Sequence, residues 1–184
     1  MNALPKSVPS SLFVTSTLPK VAWAKGSYVY DVDGKQYIDG SGGPAVVCIG
    51  YANEEVNGAI KQQLDRVAYG FRYHFRSDPM EQLTEMVARL SGGKLNQMVF
   101  VTGGSEAVES GMKLALQYQT AIGQKSRRRF IARERSWHGN TLGALGVSGF
   151  LERRAPFEGA YIDAIRLSPA NVYRPVAGAT AETA

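Results

Sequence analysis

The stretch Val99-Phe100-Val101-Thr102-Gly103-Gly104-Ser105-Glu106-Ala107 decides how the rest of the chain is read. Met98 to Val101 is a short apolar run with two β-branched residues, the length and composition of a buried strand. Thr102-Gly103-Gly104-Ser105 breaks it. Helical spacing then runs from about Glu106 to Ile122, with Val108, Met112, Ala115, Leu116 and Gln119 on one side. A helix that starts directly after a glycine turn has first-turn N–H groups with no intrahelical acceptor. Its dipole also favours negative charge at that end. Glycines let the backbone close in on a ligand, and the Ser105 hydroxyl adds one donor, so the turn has the chemistry of a phosphate cradle. It is not the nucleotide P-loop, which would continue Gly-Lys-Ser/Thr. Nor is it the dinucleotide fingerprint, because the third glycine is misplaced. Standing alone, the same residues also describe an ordinary tight turn with a serine cap.

Downstream, Phe130 to Ala132 reads as the next strand, Arg135-Ser136-Trp137-His138-Gly139-Asn140 as a loop, and Thr141 as the start of a short helix. The order strand, loop, helix, strand signals an α/β unit with a parallel sheet. In such a sheet both loops leave carboxyl ends of strands and can meet in one crevice. The Trp137 ring offers a face for a flat cofactor, and His138 can hydrogen-bond that cofactor or hold the loop. A Trp-His pair by itself is more often a feature of loop or core packing. Past Gly149 the pattern weakens, and residues 177–184 have no periodicity.

Upstream, prolines at 5, 9 and 19 disfavour regular structure, so the first twenty residues read as an extended arm. Ser27 to Asp39 alternates around Asp33-Gly34, a hairpin signal. Gly40 to Gly50 is a glycine-rich loop, either a place of close ligand approach or a plain connector. Asn53 starts a helix whose Val56, Ile60, Leu64 and Val67 define a face expected to be buried. Asp78-Pro79-Met80-Glu81 opens another, with Asp78 as N-cap and Pro79 at the first helical position; Leu83, Met86, Val87 and Leu90 line its apolar face and Gly92 ends it. The domain division expected from this pass is an arm and hairpin segment over residues 1–50, followed by the first part of a larger α/β domain over residues 51–184.

Composition narrows the function classes. The chain has 184 residues, 44% hydrophobic and 20% charged, with net charge +5, the balance of an ordinary globular protein. The basic excess is partly local, at Lys125, Arg127, Arg128 and Arg129 and at Arg153-Arg154. No stacking aromatics are interleaved and no nucleic-acid module is present, so these read as solvated loops. Cys48 is the only cysteine, which excludes an intramolecular disulfide and suits a reducing cytoplasm. The first eighteen residues lack the apolar core of a signal peptide, and there is no run of apolar residues long enough for a membrane span.

Three motifs in order carry a family resemblance. Gly103-Gly104-Ser105-Glu106-Ala107-Val108-Glu109, followed by Met112-Lys113-Leu114-Ala115, resembles the Gly-Ser-Glu-Ala-x-Glu-x-x-x-Lys-x-Ala pattern of class III (omega-type) aminotransferases. Ser136-Trp137-His138-Gly139-Asn140-Thr141 is similar to their Tyr/Phe-His-Gly-x-Thr loop. Asp33-Gly34-Lys35-Gln36-Tyr37-Ile38-Asp39 and Gly50-Tyr51 are similar to their opening elements, as is the segment Arg72 to Leu83, and the match runs from about residue 20 to 165.

The resemblance implies an α/β fold: the large domain of PLP fold type I (aspartate-aminotransferase-like), incomplete, preceded by the arm and hairpin. It implies pyridoxal 5′-phosphate (PLP) as cofactor and a homodimer with active sites at the subunit interface. Gly104 and Ser105 would bind the cofactor phosphate through backbone N–H and hydroxyl groups. Trp137, in place of the usual tyrosine or phenylalanine, would stack on the pyridine ring, and His138 with Gly139 would shape that loop. The glycine-rich loop at Gly42 to Ala45 would lie near the substrate, and Pro44-Ala45 lacks an aromatic found in some members, which suggests a different substrate. The reaction implied is ping-pong transfer of an amino group from an amino acid or amine to a keto acid or aldehyde. A racemase or aminomutase on the same scaffold, or a non-catalytic fragment, are the alternatives. The Schiff-base lysine and the aspartate for the ring nitrogen are expected beyond residue 184. Lys113 matches a family position outside the site, so no residue of this chain is assigned as catalytic. Purified residues 1–184 alone are therefore expected to show no transamination; steady turnover in a coupled assay would overturn this.

Overall fold

The structure, a computed structural model, describes residues 18–171 and residue 173. The expected arm therefore lies almost entirely outside the described residues, as do residues 177–184. The chain divides into two compact units, Met1–Gln82 and Leu83–Ala184.

The first unit is built on an antiparallel sheet of three strands, β1 (Val21–Lys25), β2 (Tyr28–Asp31) and β3 (Gln36–Ile38), in that order. Trp23 and Tyr30 are cross-strand partners, and their rings stack 3.8 Å apart at 7°, the kind of aromatic pair that stabilises a hairpin. The turn expected at Asp33-Gly34 is present, with Gly34 at φ 80°. Its anchor is a residue the alternation does not single out. The buried Asp31 carboxylate accepts from Asp33 N (3.0 Å), Lys35 N (2.9 Å) and the Tyr37 hydroxyl (2.7 Å). That Tyr37 bond, above all, holds the Asp31 carboxyl below its usual range.

Asp39 repeats the device. It accepts from Ser41 N (3.1 Å), Gly42 N (2.8 Å) and Tyr51 OH (2.6 Å), and so closes the base of the glycine-rich loop. Gly26 and Tyr51 exchange backbone hydrogen bonds of 3.0 and 2.8 Å at the far end of that loop. The loop holds one helical turn at Gly42–Ala45, but Gly43 and Pro44 leave helical geometry, so it remains a loop, as expected.

Helix α1 (Glu54–Arg66) begins where the sequence places it, with Asn53 Oδ1 accepting from Val56 N at 3.0 Å. Its apolar face is not buried. Val56, Ile60, Leu64 and Val67 are 41–57% exposed and line an open hollow with Pro79 and Gln82. Periodicity specifies which side of a helix is apolar, but burial needs a partner element, and among the described residues none packs there. Helix α2 (Asp78–Leu90) starts one residue earlier than expected. Ser77 O accepts from Glu81 N (3.1 Å), so Ser77 occupies the cap position and Pro79 the second helical position, where a missing N–H still costs nothing. Gly92 and Gly93, at φ 64° and 77°, end it with Gly93 N bonded to Ala88 O at 2.8 Å.

The second unit contains α3 (Gly104–Ala121), β4 (Ile131–Arg133), α4 (Leu142–Val147), α5 (Leu151–Arg154) with a 3-10 turn, and β5 (Ile165–Leu167). Strands β4 and β5 pair in parallel, Ile131 opposite Ile165, which is the sheet type the element order implied. The core sits where α3 and α4 meet this pair: Met112, Ala132, Val147 and Ala164 are buried, with Val108 and Phe130 packed on them. Backbones approach so closely that a Cβ at Gly146 would strike Ile162 O, and one at Gly149 would strike Arg133 O. Arg166 ties α4 to β5 through Gly146 O (2.6 Å) and Ala164 O (2.9 Å).

The strand expected at Met98–Val101 is not formed, and Val99 is 65% exposed. Composition favours extended backbone there, but a strand exists by pairing, and the two-stranded sheet of this unit holds only β4 and β5. Among the described residues no helix is long and apolar enough to cross a membrane. Met112→Ala, at the centre of this small core, is expected to cost about 2–3 kcal/mol of unfolding free energy, the low end for a buried methionine, measured by denaturant titration.

Candidate functional site

The site is assembled at the N-terminus of α3. Gly103 is the cap residue, in extended backbone at φ −157° and ψ 163°, so Gly104, Ser105 and Glu106 are the first three helical residues. Glu106 reaches back to accept from Thr102 N (2.8 Å) and Thr102 Oγ1 (2.5 Å). The Thr102 hydroxyl, then its N–H, hold the Glu106 carboxyl below its usual range. Thr102 is thus committed to Glu106, while the N–H groups of Gly104 and Ser105 lie in the first turn, where no intrahelical acceptor exists. Beyond its own neighbours in the turn, nothing lies within 4 Å of where a Cβ at Gly104 would stand.

The loop Ser136–Asn140 comes down onto this turn. Asn140 N donates to Ser105 Oγ at 2.9 Å, across 35 residues of sequence. Because that oxygen is an acceptor here, the Ser105 hydroxyl hydrogen is free to point elsewhere. Gly139 makes the approach feasible. It is buried, its φ is 142°, and a Cβ on it would lie 2.5 Å from Ser105 Oγ and 2.9 Å from the Ala144 Cβ. Only glycine fits this backbone and this clearance.

One turn into α3, Glu109 fixes the far end of the loop. Its Oε1 accepts from Thr141 Oγ1 (2.7 Å) and Ala144 N (3.3 Å), which satisfies first-turn groups of α4. The fully buried Ser148 hydroxyl accepts from His138 N (3.0 Å) and donates to Ala144 O (2.9 Å). Gly149 N donates to Ser136 O at 2.8 Å. The loop is therefore pinned by its backbone at Ser136, His138 and Asn140.

Of the four expected cofactor residues, Gly104 and Ser105 lie on the glycine turn, and Trp137 and His138 on the loop bonded to it. Trp137 is 44% exposed, with the Arg153 guanidinium 4.5 Å from its ring centroid. His138 is engaged through its backbone, and its ring is exposed. Lys113 is exposed and lies well past the first turn of α3. Glu109, Ser148 and Arg153 were not singled out as site residues from the sequence. Glu109 stands inside the motif, but its partners lie 32 and 35 residues away, which only the folded chain reveals. The arrangement fits a phosphate-bearing ligand: clearance beside Gly104, first-turn N–H groups with no acceptor among the described residues, a hydroxyl donor and a neighbouring exposed aromatic face.

Comparison with known proteins gives the class. The family model for class-III aminotransferases matches residues 14–177. An uncharacterized aminotransferase of Bacillus subtilis, YodT, is 43% identical over 161 residues, 88% of this chain and 36% of that protein. The acetylornithine aminotransferase of Clostridium acetobutylicum is 35% identical over 125 residues, 68% of this chain and 32% of that protein. Among solved structures, an (S)-enantioselective omega-transaminase from Thermomicrobium roseum superposes with a TM-score of 0.81 at 30% identity, covering 90% of this chain and 37% of its own. The PLP-bound amine transaminase from an uncultivated Pseudomonas species gives 0.80 at 28% identity, covering 95% and 41%. The chain belongs to the class III aminotransferase family and has the fold of the corresponding part of these fold type I enzymes. It spans about a third of the length of the relatives it matches.

Glu106 should leave a pH signature. Its folded-state pKa is below its unfolded value, so its contribution is present above the unfolded pKa and is lost as pH falls through the folded one. Unfolding stability should therefore fall more steeply with acidification in the natural protein than in Glu106→Gln, measured by denaturant midpoints at a series of pH values below about 5.

Proposed function

We propose that this chain is the cofactor-holding front part of a PLP-dependent transaminase. In the complete protein an amino group passes from an amino acid or amine to a keto acid or aldehyde in two half-reactions. PLP, when bound, supplies the electron sink for that exchange. The residues of this chain hold it. First-turn N–H groups of Gly104 and Ser105, with the helix dipole behind them, bind the phosphate, and the Ser105 hydroxyl donates a further hydrogen bond. Trp137 offers its ring face to the pyridine ring. His138 acts by shaping the loop, its N–H held on Ser148. The observation that carries this reading is the 2.9 Å bond from Asn140 N to Ser105 Oγ, which puts the glycine turn and the aromatic loop side by side while leaving the serine hydrogen to donate.

The lysine that carries the cofactor lies, on this reading, beyond residue 184. The complete protein works as a homodimer in the cytoplasm, with small-molecule amino donors and acceptors as its substrates. Support for amino-group transfer over other PLP chemistry comes from the family match and from relatives whose names specify aminotransferases. Ser105→Ala in the complete enzyme is expected to weaken PLP about tenfold, the share of one charge-assisted hydrogen bond. Titration of the apoenzyme with PLP, followed by absorbance, measures it; an unchanged dissociation constant would count against the phosphate assignment.

A further inference from the structure

Trp137 has two faces, and the structure accounts for one of them. The guanidinium carbon of Arg153 lies 4.5 Å from the Trp137 ring centroid and 5.8 Å from that of Phe150. Among the described residues Arg153 forms no ion pair, so the rings are its engagement. Arg153 stands on α5, directly after the Ser148-Gly149 segment whose hydroxyl and N–H pin the loop backbone at His138 and Ser136. The same chain segment therefore fixes the loop backbone and touches the loop's exposed ring.

We propose that Arg153 is a positioning residue for the cofactor. It stacks on one face of Trp137 and holds the ring plane so that the opposite face is presented to the PLP pyridine ring. The inference rests on the reading of Trp137 given above and adds a residue that no motif points to. The physical case is preorganisation. A half-exposed tryptophan on a loop has two side-chain torsions to order when a ligand stacks on it, and a ring already clamped from behind has less to lose. Arginine suits the task because its guanidinium is planar and weakly hydrated, so it lies flat on an aromatic face where a lysine ammonium acts only as a point charge. Phe150 is the second ring within reach of the same guanidinium.

The test uses the complete holoenzyme and its apo form, with PLP as the probe. Arg153→Ala should raise the PLP dissociation constant roughly two- to fivefold, the range of a cation–π contact at an exposed site, and should reduce the visible circular dichroism of bound PLP. Arg153→Lys should recover part of both. In a Trp137→Ala background, Arg153→Ala should add nothing, because the clamp has no ring to hold. Tighter PLP binding in Arg153→Ala would overturn the inference, since it would mean that Arg153 covers the face PLP needs. An unchanged constant and dichroism would overturn it too, as would an equal effect with and without Trp137. If Trp137→Ala itself leaves both readouts unchanged, the stacking role of Trp137 fails, and the Arg153 inference fails with it. If Trp137→Ala acts and Arg153→Ala does not, only the Arg153 inference falls. Any loss of fold in Arg153→Ala shows in the apoenzyme's melting curve, and the double-mutant comparison still separates the cases.

Discussion

The hydrogen bond from Asn140 N–H to Ser105 Oγ joins two loops that are 35 residues apart in sequence, and the site depends on it. It is short only because Gly139 has no side chain, and Gly139 can take its backbone shape only as glycine. Glu109 and Ser148 then fix the two sides of the contact, one from α3 and one from the buried end of α4. Ser105 and Glu109 link α3 to the aromatic loop and the start of α4, and Ser148 holds the loop to the end of α4. By that attachment the glycine turn at the start of α3 and the aromatic loop are brought together.

A second device recurs in both units. Carboxylates collect nearby donors: Asp31 gathers the hairpin, Asp39 the glycine-rich loop, Glu106 the residue before α3 and Glu109 the start of α4. Each fixes a piece of irregular backbone that regular hydrogen bonding leaves open. Asp31, Asp39 and Glu106 all have their carboxyls held below the ordinary range by these partners, hydroxyl groups first. Loops in this chain are thus ordered by short-range polar contacts more than by apolar burial, and the buried core of the second unit is small.

Much of this was legible in the sequence where local chemistry decides the outcome. The Asp33-Gly34 turn, the Asn53 cap, the glycine stop at Gly92 and the helix that opens at Gly104 are fixed by residues within a few positions of one another. Element order pointed to parallel pairing, which the structure has between β4 and β5, not between the two strands read from the sequence. Legibility ended where long-range pairing decides. Met98–Val101 has strand composition but no strand partner among the described residues, and the α1 face reads as core yet stays open. The short β5, three residues in a weakly patterned region, is a strand because β4 pairs with it. In the site, the motif residues Gly104, Ser105, Trp137 and His138 could be picked out by type and order. Glu109, Ser148 and Arg153 could not, since their partners are set by the fold.

The glycines at 139, 143, 146 and 149 each face an atom of another segment so closely that a methyl group would collide. At Gly146 and Gly149 the neighbour is backbone, Ile162 O and Arg133 O, so spacing there is set chain to chain, whereas Gly139 and Gly143 meet the side chains of Ser105, Ala144 and Glu109. At those first two positions the segment acts as a gauge block. Trp137 and Arg153 lie in the exposed layer, outside that spacing. Changing the separation at Gly146 or Gly149, by contrast, would require moving the chain itself.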